Sequence, residues 1–168
     1  MMDDGMLSQD EIDALLKIGE EDDEIKETEN FLTTIEKDTL GEIGNISFGS
    51  SATTLSTLLN QKVEITTPTI HVMNERDVSE QLESENLRVQ VNYTEGFSGK
   101  SLFIIKKEDA AVISDIMLGG DGKDPDTELN EIHLSAVQEA MNQMMGASAT
   151  SMSTIFGKKW TFRHLSLR

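Results

Sequence analysis

The chain has 168 residues, with 31 acidic and 14 basic side chains, a formal net charge of −17 and no cysteine. That length suits one domain with some chain left over, and the charge repels nucleic acid and anionic lipid alike. Without cysteine there are no disulfides, thiolate metal sites or thiol nucleophiles. No apolar run approaches the roughly 20 residues needed to span a bilayer, and the acidic N-terminus lacks a secretory pattern. The expectation is a soluble, cytoplasmic protein that neither binds nucleic acid nor inserts into membranes. Residues 1–31 alone carry twelve carboxylates against two lysines.

Residues 1–18 hold a short amphipathic segment. Ser8 and Glu11 form a capping box, and Leu7 and Ile12 a hydrophobic staple around it. Ile12, Leu15 and Leu16 share one face; Gln9, Asp10 and Asp13 stay polar. Eleven or so residues are too few for a stable isolated helix, so this one is expected to form on docking. Residues 19–32 read as an acidic disordered linker, and residues 33–168 as the folded domain. Within it, the pattern predicts a long helix over 33–60, a β-branched strand from Val63 to Val72 held at an edge by Pro68, and a polar loop over 74–85. Two strands, Leu87–Tyr93 and Lys100–Lys106, flank a hairpin signal. A helix over 108–118 stops at Gly119-Gly120, a second long helix covers 130–156, and Lys159–Leu167 looks like a strand start.

The two long helices are copies of one another. Shifted by 97 residues they align without gaps, with nine identities in the 25 positions from Asp38 to Lys62. Asp38, Glu42, Asn45, Gly49, Ala52 and Ser56 fall on one face, as do Ser135, Glu139, Asn142, Gly146, Ala149 and Ser153 in the second copy. Leu134, Val137, Met141, Met145, Met152, Ile155 and Phe156 take the opposite face and are expected to pack on the sheet. Each copy therefore offers a carboxylate and a carboxamide one turn apart on a bare ridge. A glycine there costs about 1 kcal/mol against alanine, which suggests close approach by another molecule.

This pattern, [D/S]-x3-E-x2-N-x22-P, resembles the signature of the CheC/CheX/FliY phosphatases of bacterial chemotaxis. Asp38, Glu42, Asn45 and Pro68 match every element; Ser135, Glu139 and Asn142 match the second copy, where Leu165 stands in place of proline. Residues 7–16 (Leu7, Ser8, Gln9, Asp10, Glu11, Ile12, Asp13, Ala14, Leu15 and Leu16) resemble the peptide with which the family's motor-switch members capture phosphorylated CheY. The resemblance implies an α+β fold: a CheC-like, internally duplicated domain with two long pseudo-symmetric helices packed on a mainly antiparallel sheet. It also implies hydrolysis of the aspartyl phosphate of CheY, with Asn45 and Asn142 orienting water and Glu42 and Glu139 anchoring the regulator's lysine. An asparagine amide can both donate to and accept from such a water. Such an enzyme has no cofactor or metal of its own, Mg²⁺ being expected on the regulator. Partners implied are phosphorylated CheY and the flagellar switch proteins FliM, FliG and FliN-like, with a location at the cytoplasmic side of the flagellar basal body. The alternative is a non-catalytic adaptor that only captures phosphorylated CheY.

Other signals are decoys. Gly99-Lys100-Ser101 lacks the first glycine of a phosphate loop, the acidic run Asp121–Glu128 misses calcium-loop spacing, and the three histidines lack ligand spacing. From about Trp160 the sequence departs from the family pattern, and the second repeat reads as truncated, in a truncated or frame-shifted chain. Its helix is therefore expected to be the less supported one, placing Asn45 above Asn142 in importance.

Overall fold

The structure, a computed structural model, describes residues 31–80 and 86–167. The expected docking segment and the acidic linker up to residue 30 lie outside them.

Two helices dominate, α1 (Thr34–Leu59) and, late in the chain, α4 (Glu131–Phe156), each of 26 residues. Their ends repeat the 97-residue offset. Both open on a capping box, because Thr33 and Asn130 each accept from the backbone of the first turn. Thr33 is closed by Glu36 and Asn130 by His133. The doubly bonded Glu36 carboxyl lies below its ordinary value of 4.5, first through the Thr33 backbone N–H and then through its hydroxyl. Both helices end in the left-handed region, at Asn60 (φ 49°) and Gly157 (φ 61°), the two residue types that tolerate it best. The exits match too. Ser56 Oγ donates to Ala52 O (2.8 Å) and accepts from Val63 N (2.9 Å); Ser153 Oγ donates to Ala149 O (2.7 Å) and accepts from Trp160 N (2.9 Å).

Between the long helices come α2 (Glu75–Glu80), the hairpin β1 (Leu87–Glu95) and β2 (Lys100–Ile105), and α3 (Lys107–Met117); β3 (Thr161–Leu167) follows α4. The sheet has the order β2-β1-β3 and is antiparallel throughout, with β1 central. Alternation in β1 buries Leu87, Val89 and Val91 against Val137, Met141 and Met145 of α4 and Ala110 of α3. Helix α1 lies mainly along α4, and Leu55 and Leu59 join Ala140 in a second buried cluster. The expected α+β architecture, two related long helices above an antiparallel sheet, is the one observed.

Three expectations are corrected. The stretch Val63–Val72 is extended but joins no ladder. Instead it runs back along α1, from Ser56 at Val63 to Gly41 at Ile70; a Cβ added at Gly41 would lie 3.3 Å from Pro68 O, and one at Gly44 3.3 Å from Pro68 Cγ. Glycines set i, i+3 clear that helix face for the segment, and Pro68 has no N–H to offer a sheet. The polar loop contains a helical turn, α2, with acidic Glu75 and Asp77 in its first turn; residues 81–85 lie outside the described residues. Finally, Ile155 and Phe156 are exposed at 37% and 43%, so the apolar face of α4 outruns the sheet beneath it.

Candidate functional site

The site is built on the helix pair. Ser47 Oγ donates to Met152 Sδ (3.0 Å), and Ser51 Oγ to Met144 O (2.8 Å). Rising numbers on α1 meet falling numbers on α4, so the helices run antiparallel. Ser47, Ser51, Ala52, Ser148 and Ala149 are buried, and their small side chains let the two backbones approach closely. The two E-x-x-N turns, each in the N-terminal half of its helix, thus sit toward opposite ends of the pair.

Matching positions share their environments. Glu42 and Glu139 are exposed, Asn45 and Asn142 half-buried, and Asp38 and Ser135 exposed one turn before them. A Cβ added at Gly49 or Gly146 would meet nothing within 4 Å, so the chain's own packing does not ask for glycine at either. The predicted ridge is therefore present from residue 38 to 49 and from 135 to 146. It does not continue as expected: Ala52 and Ala149 turn into the helix interface, and Ser56 and Ser153 are occupied in the exit clasps. Identity between the copies marks packing there, a role that sequence could not separate from an exposed one.

The copies differ in their surroundings. Pro68 is brought to the turn that carries Glu42 and Asn45 through its contact with Gly44. In the second copy Glu139 Oε1 accepts from Gln143 Nε2 (2.9 Å), whereas the matching neighbour of Glu42 is Ile46. Lys62 pairs with Glu64 within its own segment (2.6 Å), but its counterpart Lys159 reaches Glu95 at the end of β1 (2.9 Å). The hydrogen bond from Lys159, then its charge, hold the Glu95 carboxyl below its ordinary value. The one strand expected after the second helix, β3, pairs with β1, and α4 takes its support from β1, which precedes it in the chain.

Gly41 and Gly44 were no part of the expected site, although their i, i+3 spacing marks a cleared helix face. Nor was Gln143, whose spacing four residues after Glu139 was the available signal. Among the described residues no group of histidine and carboxylate side chains could hold a metal ion. No described helix is long and apolar enough to cross a membrane. What the ridges can do is position: a carboxylate and an amide on each, held on helices, with steric room for close approach by another molecule.

The model of the CheC-like family matches residues 35–72 and 132–159, which contain both E-x-x-N turns. Flagellar motor switch phosphatase FliY of Bacillus subtilis (strain 168) is 58% identical over 161 residues, covering 94% of this chain and 42% of that protein. The chain thus spans less than half the length of that curated relative. The crystal structure of Thermotoga maritima FliY superposes with a TM-score of 0.78 at 45% identity, covering 82% of this chain and 70% of that one. A chain in the crystal structure of the FliG–FliM complex from H. pylori gives 0.67 at 18% identity, over 80% of this chain and 75% of that one, a likeness of fold alone.

Proposed function

The chain belongs to the CheC-like family, and from that premise we propose that it hydrolyses the aspartyl phosphate of phosphorylated CheY at the flagellar motor switch. The observation that carries the reading is the doubled ridge: the same carboxylate and amide, at matching exposure, each followed by a glycine over open space. An acyl phosphate is already labile, and its Mg²⁺ belongs to the regulator, so the chain has only to orient the attacking water. Asn45 or Asn142 accepts a hydrogen bond from that water through its amide oxygen and directs a lone pair in line with phosphorus. Phosphorus–oxygen cleavage then releases inorganic phosphate and restores the regulator's aspartate. Glu42 or Glu139 binds the regulator's lysine and fixes the amide in place. Orientation of this kind is worth on the order of 10²-fold or somewhat more. The amphipathic segment of residues 7–16 captures the regulator, raising its local concentration to about millimolar through the linker. FliM, FliG and FliN-like switch proteins are the proposed neighbours, and the cytoplasmic face of the motor the proposed location.

The test is release of inorganic phosphate from phosphorylated CheY with and without the chain. Faster release supports the proposal. Retained binding with an unchanged rate gives the adaptor reading instead.

A further inference from the structure

Beside the first ridge lies an apolar groove of about 750 Å³, within the range of a ligand pocket. Its walls include Leu40, Ile43 and Phe48 of α1, Phe97 of the β1–β2 turn, Phe156 at the end of α4, and Trp160. Trp160 stacks between Phe97 and Phe156, with ring centroids 5.7 and 5.4 Å away. Gly96 (φ 87°) makes that stack possible, since a Cβ there would fall 2.8 Å from the indole ring. Yet no described residue covers the groove: Phe97 is 48% and Phe156 43% exposed. Lys158 lines it as its cationic group, and the buried Trp160 Nε1–H finds no acceptor among the described residues.

We infer that the groove is the resting dock of this chain's own segment 7–16, with Ile12, Leu15 and Leu16 against the aromatic wall and Asp10, Glu11 and Asp13 toward Lys158. Reach is ample. The fourteen residues 17–30 can span up to about 46–50 Å, while Phe48, the groove's far end on α1, lies only about 21 Å along the helix from Thr34. Tethering supplies the segment at about millimolar concentration. A second copy would instead bring a surface of net charge −17 against its like. On the functional reading above, the same apolar residues cannot hold both the groove and a regulator, so a regulator would have to displace the docked segment.

Trp160 is the chain's one tryptophan and lies in the groove wall, so its emission reports occupancy without reference to phosphatase activity. In the full chain, Ile12→Ala together with Leu16→Ala is expected to shift that emission to the red, at unchanged far-ultraviolet circular dichroism. A synthetic peptide of residues 7–18, added at millimolar concentration to the variant, is expected to reverse the shift. Emission unchanged by the double substitution would overturn the assignment. An emission that depends on protein concentration would overturn it in favour of a second copy. Neither result bears on phosphate release, so the two proposals fail separately.

Discussion

The two halves of this molecule start from nearly the same helix and end in different places. After α1 the chain runs back along its own helix, over the face cleared by Gly41 and Gly44. After α4 it enters the sheet beside β1. The cause is visible at matching positions: Gly41 and Gly44 correspond to Gln138 and Met141, and Met141 is a buried anchor on the sheet. A duplicated helix can keep its caps, clasps and surface residues while two substitutions on another face decide what lies against it. The second ridge is thereby carried on the domain's core. The first is carried on α4 through the helix pair, with a segment that has no ladder hydrogen bonds against its other side.

The largest difference should appear when the anchor is removed. Met141→Ala deletes a core side chain and is expected to destabilise the domain by about 2–4 kcal/mol, read as a shift in the denaturant midpoint. Its repeat counterpart is glycine, so no equivalent loss exists in the first half. If Met141→Ala left the midpoint unmoved, the sheet would not be what supports α4.

A second test separates stability from activity. Gly49→Ala and Gly146→Ala add a methyl into open space and improve helix propensity, so each should raise stability by up to about 1 kcal/mol. The same methyl roughens the ridge that a regulator must approach, so phosphate release should fall. Stabilised variants with undiminished activity would show that the ridge is not an approach surface.

Pro68→Ala should sharpen the contrast on the first side alone. It loosens the extended segment against Gly44, changes global stability by less than about 1 kcal/mol, and lowers only that part of the activity that survives Asn142→Ala. Equal losses in both halves would contradict the separate supports described here.

The smallest effect concerns the caps. The Glu36 carboxyl is held below its ordinary 4.5 by Thr33, so its contribution is fully present above about that pH and fades as pH falls through the lowered value. The α4 box closes on His133 rather than a carboxylate. Acidification through that lowered value should therefore reduce the protection factor of the Thr33 amide, which donates to the Glu36 carboxylate.

Much of this was legible in the sequence because it is local or periodic. The repeat, both long helices, the hairpin and the E-x-x-N turns follow from spacing. The strand expected at Val63–Val72 failed because β-branched residues favour extended backbone without specifying a ladder, and the helix carries two glycines that receive the segment instead. Ala52 and Ala149 were misplaced because small residues suit a bare surface and a close helix contact equally well. The weight of Asn45 over Asn142 rested on the shortness of the sheet after α4, whereas α4 packs on β1, a strand that precedes it in the chain.

The most direct test is phosphate release from phosphorylated CheY by the parent chain, Asn45→Ala, Asn142→Ala and the double variant, each with its circular dichroism recorded. The account predicts that the parent accelerates release, that the double variant loses on the order of 10²-fold while remaining folded, and that Asn142→Ala costs at least as much as Asn45→Ala. A folded double variant that releases phosphate as fast as the parent would contradict it.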